Sequence, residues 1–477
     1  LAVEEERSAS LLQMLRDSVS SGDRKTLSGS YREDLARLRA FEIERIVNPN
    51  TSGENRTSQV RQRLIEEETR SAAKFVPASL KKGETFLSSN TLGDVQRRIG
   101  PEEAILSIHL GNTGSYVWGL TSSHLEMHRL PPRDALVTVI RQFNRAVQES
   151  AQDRDRIGAE LYTSLFGHLS RTILRKRSWI LTSDDEMFEV PFAALVVGTA
   201  QEKQSSSPER NVKPVYLVER HETLRIPSAL ALLARPTPVA GGPFLAVGDG
   251  IYNTADNRWT ALHAPSYRHF FSSVFGAGAA RSSMELPRLV SSTDELKNCA
   301  SAWRAEGDTV FLTGPDLSRA KLLPVLLLKP AIIHIAAHVL YPNGKPDEAL
   351  IHLGLGDKGL PEVLTTKDVS ALHANGALVV LSGCSSAAGN SVRGAGVMGL
   401  TRAWLLAGAR AVVGSRWPVP DDSGDLFRSF YAHLAASNNE RSGLSYALQQ
   451  AELDMLRSGQ WRSDPRYWGA FYLLAKE

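Results

Sequence analysis

Cysteine is scarce. The 477 residues include two, Cys299 and Cys384. Two thiols cannot build a disulfide framework, which excludes the small stapled secreted class and fits a reducing compartment. An excess of one charge is missing too. Charged residues make up 22% of the chain but leave a net charge of only +3, too weak a field to argue for nucleic acid or an anionic membrane surface as a partner. No apolar run approaches the roughly 18 residues of a membrane helix. The opening LAVEEERSAS is acidic and polar, unlike a signal peptide, and it starts at Leu1 rather than methionine, as a fragment of something longer would. With no CxxC and no HExxH, no metal or other cofactor is expected. What remains is an ordinary globular composition, 42% hydrophobic, long enough for two or three domains and expected in the cytoplasm.

Residues 1 to about 80 are rich in Glu, Arg, Gln and Ser, with helical spacing in LLQMLRDSV, YREDLARLRAFEIERIV and SQVRQRLIEEETRSAAKF, broken at Asn48–Gly53. This reads as a helical hairpin or the end of a helical array. From about 100 onward strands alternate with helices. EAILSIHL and SYVWGLT form a hairpin across Gly-Asn-Thr-Gly, and helices follow around 133–150 and 156–175. GTAQEKQSSSPER reads as a polar loop, and residues 251–290, rich in Gly, Ser and Asn, as a long surface excursion. In the last 190 residues the strands TVFLTG, AIIHIAAH, ALIHLG, ALVVLSG and AVVGSRW alternate with helices at 293–306, 317–328, TTKDVSAL, 396–409, 422–436 and 443–457. Near-continuous apolar strands separated by helices predict an α/β fold with a mainly parallel sheet covered on both faces.

Functional groups of such sheets gather at the carboxyl ends of strands. AIIHIAAH ends at His338, ALVVLSGC at Cys384, and AVVGSRW at Trp417. If the first two strands are neighbours, about 4.8 Å apart, His338 and Cys384 can face each other as a cysteine–histidine dyad, the imidazole stabilising a thiolate and later protonating a leaving amine. The small residues of GCSSAAG would let a substrate backbone approach closely. His334 shares strand and face with His338 but lies deeper, as a satisfied core histidine does; Cys299, in TDELKNCASAWRAE, also reads as core. Gly394, Gly396 and Gly399 spell a formal G-x-G-x-x-G, but about ten residues separate it from its strand, unlike a dinucleotide fingerprint. GCSSAAG is not the G-x-C-x-G of a nucleophile elbow.

The ordered series HIAAH, LVVLSGCSSAAG, GVMGLTRAWLLAGARAVVGSRWPVPDD, FYAHL and PRYWGAFYLL resembles the CHAT domain, a caspase- and separase-like peptidase module often found after tetratricopeptide repeats. Upstream, AILSIHLGNTGSYVWGLTSSHLEMHRLP and LYTSLFGHLSRTILRKRSWILTSDDEMFEVPFAAL are similar to its earlier segments, so the likeness covers about residues 90–477. It implies a caspase-like sandwich with pseudo-duplicated halves, divided as a helical connector over 1–85, a pseudo-caspase half over 86–290 and a catalytic half over 291–477. It implies metal-free thiol hydrolysis of peptide bonds, with Cys384 as nucleophile, His338 as general acid/base, and the backbone N–H groups of Val339 and Cys384 at the oxyanion. The family typically has glycine after the histidine; a backbone needing φ > 0 there would be strained with Val339, which leaves a catalytically weak or inactive scaffold for protein partners as the alternative. Gly383 replaces the alanine of the usual LSAC, a change expected to be harmless. Ser415, Arg416 and Trp417 are expected to pair with an extended substrate by β-augmentation. Asp347 and Glu348, or Asp421 and Asp422, are the acids that would favour Arg or Lys at the cleaved bond, although Asp421 and Asp422 also suit the cap of the following helix. The expected partners are a protein or peptide substrate and a regulatory protein or upstream repeat domain.

Overall fold

A computed structural model describes Val3, Glu4, Arg7 and residues 91–476, except 184, 202–211, 263–285, 304–307, 341–348, 357–358, 384–398, 418, 420–423 and 438–440. The strands are β1 (Glu103–His109), β2 (Ser115–Leu120), β3 (Leu125–Leu130), β4 (Ser178–Ser183), β5 (Val196–Gln201), β6 (Val212–Tyr216), β7 (Glu222–Arg225), β8 (Gly242–Gly250), β9 (Thr309–Gly314), β10 (Pro330–Ala336), β11 (His338–Leu340), β12 (Leu350–Leu355), β13 (Pro361–Thr365), β14 (Leu378–Leu381), β15 (Ala411–Ser415) and β16 (Phe471–Ala475). Eleven of them form one sheet in the order β3-β2-β1-β4-β7-β16-β15-β14-β10-β8-β9. Its pairings are parallel except at β1·β2, β2·β3 and β15·β16. This is the α/β sandwich expected.

The antiparallel β15·β16 pair matters most for function. β16 is parallel to β7 but antiparallel to β15. Strands β1, β4, β7 and β16 therefore run one way, and β15, β14, β10, β8 and β9 the other. The carboxyl ends of the two groups lie at opposite edges of the sheet, and it is outside such strand ends that open α/β sheets bind ligands. β8 sits between β10 and β9, so the second group begins before residue 250.

Both faces are covered because the strands are apolar on both sides. In β10 every residue is buried, and in β14 all four are. On one face pack the helices Arg133–Gln148, Ser292–Ala302, Gly424–Ala436 and Arg441–Arg457. Gly424–Ala436 presents Leu426, Phe427, Phe430, Tyr431 and Leu434 inward, the i, i+3, i+4 spacing of an amphipathic helix. The other face holds Leu400, Trp404, Val369 and Tyr472.

Three local expectations are corrected. AIIHIAAH is not one strand: β10 stops at Ala336, and His338 opens β11, which pairs antiparallel with β12 in a separate three-stranded sheet. GTAQEKQSSSPER opens as strand, because Gly198–Gln201 pair with β6. β13 and β16 have no counterpart in the sequence reading; each owes its strand state to a partner distant in sequence.

Candidate functional site

β10 and β14 are parallel neighbours, in register from Ile332↔Leu378 to Ile335↔Leu381. The ladder continues past β14, where the Ser382 N–H donates to the Ile335 carbonyl at 3.1 Å. The next residue, Gly383, lies directly against Ala337: a Cβ at 383 would collide with the Ala337 carbonyl oxygen and come within 3.4 Å of Val339 Cγ2. Ala337 and Gly383 immediately precede His338 and Cys384. Cys384 itself lies outside the described residues, as do Asp347, Glu348, Asp421 and Asp422.

The Gly383 contact bears on the opposite substitution. Glycine fits here, whereas alanine would not, because its methyl has no space against the neighbouring backbone. Gly383→Ala is expected to cost about 1–3 kcal/mol, as overpacking does, measured as a lowered urea midpoint at unchanged slope; an unaltered midpoint would show that this strand end yields freely.

His338 is half-buried. Its Nε2 donates to the Pro287 carbonyl at 2.8 Å, and the edge-on Tyr252 ring is 4.6 Å away between centroids. With the proton on Nε2, the lone pair of the neutral ring is on Nδ1. A base oriented through one nitrogen and reactive through the other is the arrangement nucleophile activation requires. Across the β11·β12 pair, His338 faces His352. Burial, with His338 beside it, pushes His352 down to about 4, so it is neutral at physiological pH.

The Pro287 carbonyl is held by a polar cluster at the end of β8. Asp249 is buried and has a left-handed φ of 48°, which aspartate tolerates better than most residues. Arg288 donates from Nε and Nη2 to its two carboxylate oxygens at 2.8 and 2.9 Å. Arg258 Nη1 and Thr293 Oγ1 donate to Oδ2 at 2.9 and 2.7 Å. Burial pushes Asp249 up, but the hydrogen bonds from Arg288 and Thr293 and the two guanidinium charges outweigh it and hold the carboxyl below its usual range. Asn253 Nδ2 donates to the Leu286 carbonyl. Sequence reasoning missed Asp249, Pro287 and Arg288. The signal for Asp249 was an acid at the carboxyl end of FLAVGDG; the other two stood in a stretch read as surface.

His334 is fully buried and bonded on both nitrogens, to Tyr431 Oη at 2.9 Å and to Glu295 Oε1 at 2.8 Å. Cys299 is buried in the same core; burial and nearby Glu295 push its thiol well above the usual value, so it is a poor nucleophile. Val339 lies in β11 and is not among the non-glycine residues of positive φ, so the expected strain does not arise. Ser415 is fully buried, and its hydroxyl donates to the Gly383 carbonyl at 3.4 Å. Arg416 turns inward, donating to the carbonyls of Gly469, Ala470 and Phe471 and lying 4.8 Å from the Tyr472 ring centroid. Trp417 is 4% exposed, and its indole N–H donates to the Arg466 carbonyl. The strand ends thus bring together His338, Val339, Ser415 and the residue before Cys384. Among the described residues no cluster could hold a metal ion, and no helix is long and apolar enough to cross a membrane.

The CHAT domain family model matches residues 155–476, and the chain belongs to that family. Tetratricopeptide repeat protein 28 of Homo sapiens is 26% identical over 343 residues, and its Mus musculus counterpart 25% identical over 347. The matches span 65% of this chain but only 12% of those proteins. Among solved structures, separase in two crystal structures of the Saccharomyces cerevisiae separase–securin complex aligns over 81% of this chain and 31% of its own, at 12% identity and TM-scores of 0.40 and 0.38.

Proposed function

We propose that this protein is a cysteine endopeptidase of caspase-like fold, with Cys384 as nucleophile and His338 as general acid/base. The observation that carries the reading is the contact of Ala337 with Gly383 on neighbouring parallel strands; the two candidate groups are the next residue along each chain. The imidazole, held through Nε2 by the Pro287 carbonyl, receives the thiol proton on Nδ1. The thiolate attacks the scissile carbonyl, a tetrahedral oxyanion forms toward the backbone N–H groups of Val339 and Cys384, and the imidazolium protonates the leaving amine. Water then hydrolyses the acyl-enzyme by the same exchange.

The substrate is an extended peptide laid along Ser415–Trp417. Ser415 and Trp417 serve through their main chain, because the Arg416 N–H already donates to the Ala470 carbonyl and the side chains of Arg416 and Trp417 are engaged inside the protein. Asp347 and Glu348 are the acids proposed to favour Arg or Lys at the cleaved bond; a peptide-library profile that is unchanged in Asp347→Asn and Glu348→Gln would refute this. By analogy with relatives named for tetratricopeptide repeats, an attached repeat or protein partner controls the site.

Labelling with a thiol-reactive peptidyl probe, read by peptide mapping, tests the reading. Stoichiometric modification of Cys384, with Cys299 unmodified, is expected. Absence of labelling together with absence of peptide cleavage would leave a non-catalytic CHAT scaffold. A second test addresses the orienting carbonyl. Asp249→Asn weakens the hold on Arg288 and should lower kcat on the order of 10–100-fold with KM little changed, the effect of a misplaced catalytic group; an unchanged kcat would remove Asp249 from the positioning network.

A further inference from the structure

The edge of the sheet opposite His338, where β4 and β7 end, contains a buried guanidinium without a counter-charge among the described residues. Arg225 closes β7 and is 3% exposed. Its Nη2 donates to the Val190 carbonyl at 2.8 Å; its Nη1 is buried and bonds to nothing among the described residues. Around it stand aromatic rings: Phe188 at 4.5 Å, Phe192 at 5.1 Å and Tyr472 at 5.7 Å from the guanidinium carbon. Aromatic faces attract a cation but do not neutralise it. A second guanidinium, Arg416, lies 4.8 Å from the centroid of the same Tyr472 ring and adds to the positive field. Arg416 has Glu452 and Glu189 within its field. Burial and the like charge of Arg416 push the Arg225 guanidinium well below its usual value, and no carboxylate among the described residues counters them.

Buried charges are normally paired, because removal from water is costly without a partner. Arg225 also lines a small cavity with Ser183, Leu181, Phe188 and Leu474, and among the described residues is the only charged side chain on its wall. About 10 Å³ is open there to the centre of a water-sized particle, room for one such particle and not for a polyatomic ligand. The wall offers a guanidinium and a hydroxyl as donors, with apolar surface elsewhere. A monatomic anion suits this set: it accepts from both donors, tolerates the apolar wall, and supplies the missing charge. A water molecule would fill the space but leave the charge unbalanced.

We propose that this cavity binds a single halide-sized anion at Arg225, where β7 of the first strand group meets β16 of the second. The anion would neutralise the guanidinium at the seam between the two groups and so stabilise their union. This site is independent of the peptidase chemistry at the opposite edge.

Crystals of the full chain grown in sodium bromide and measured at the bromine absorption edge test the proposal directly. An anomalous peak within hydrogen-bond distance of the Arg225 guanidinium is expected. Thermal melts supply the solution arm. At equal ionic strength, sodium bromide or chloride should raise the wild-type Tm over sodium gluconate saturably, on the order of 2–5 °C, and Arg225→Met should abolish that difference. A cavity without an anomalous peak, filled by water only, overturns the proposal. So does an equal halide response in wild type and Arg225→Met. Should that variant not fold, the anomalous map of the wild type decides alone.

Discussion

Replacement of Cys384 by alanine is expected to lower peptide hydrolysis by about 10⁴-fold or more, with the circular dichroism spectrum and Tm unchanged. The loss is large because no other group can take over. Cys299 is buried on the helix Ser292–Ala302, with its thiol pushed well above the usual value by burial and Glu295, so the thiolate it would need is not formed at neutral pH. His338→Ala is expected to lower kcat by about 10²–10⁴-fold, the span of a general acid–base contribution. The double variant should be little worse than Cys384→Ala, since the two groups act as one unit. A Cys384→Ala enzyme retaining more than a tenth of wild-type turnover would remove the residue from the chemistry. A His338→Ala enzyme with undiminished kcat would do the same for the histidine. His334→Gln is the control for a structural histidine: with its bonds to Tyr431 and Glu295 buried, its damage should appear in the denaturation midpoint rather than in kcat measured on folded protein.

The second large effect concerns the beginning of the chain. Glu4 and Arg7 are buried at the carboxyl ends of β1 and β4, on the edge opposite His338. Glu4 accepts from Ser107 Oγ at 2.6 Å, Thr182 Oγ1 at 2.8 Å, Ser228 Oγ at 3.0 Å and the Ala229 N–H at 2.5 Å. Arg7 pairs with it at 2.5 Å and donates to the Ile108 carbonyl at 2.6 Å. Glu4→Ala removes the carboxylate that balances a buried guanidinium and accepts from several buried donors, and is expected to cost about 3–5 kcal/mol, as breaking a buried pair from one side does. The double change Glu4→Leu, Arg7→Met removes both charges and should cost far less. Denaturant unfolding of the four proteins of this cycle measures the coupling; strictly additive losses would show that the pair is not a unit.

The same pair predicts acid lability. Burial pushes Glu4 up, but the Arg7 charge and the hydrogen bonds from Ser107, Ala229 and Thr182 outweigh it, and its carboxyl lies below the usual value. A carboxyl lowered in the folded state contributes stability that is fully present above its unfolded value, near 4.3, and is lost as the pH falls through the folded value. The wild type should therefore lose stability more steeply with falling pH than Glu4→Gln does in that range, and parallel curves would contradict the assignment.

Much of the second strand group was legible because it depends on local pattern. LVVL and PAIIHIA, buried on both faces, can hardly be other than central parallel strands, and the positions of His338 and Cys384 past their ends follow from counting residues. The one-residue break at Ala337, after which His338 opens β11, was not legible. Nothing in the residue types from Ile332 to Val339 marks a strand end at Ala336, and only the pairing with β12 separates the two strands. Nor could the harm of a methyl at Gly383 be read from residue type, since it is set by the Ala337 carbonyl, supplied by a neighbouring strand.

The sequence by itself determined the alternation of strand and helix, the burial of both sheet faces, the two candidate reactive groups and the absence of a disulfide framework. All of these depend on residue type and on spacing within a few positions. Tertiary structure decided the rest. It inserted β16, the last of the described strands, between β7 and β15, and so sent the carboxyl ends of the two strand groups to opposite edges. It brought the Pro287 carbonyl to an imidazole 51 residues away, and Glu4 to the N–H of Ala229, 225 residues distant. Contacts at that separation are selected by packing and by the need to satisfy buried polar groups across the whole fold, and local periodicity holds no record of them.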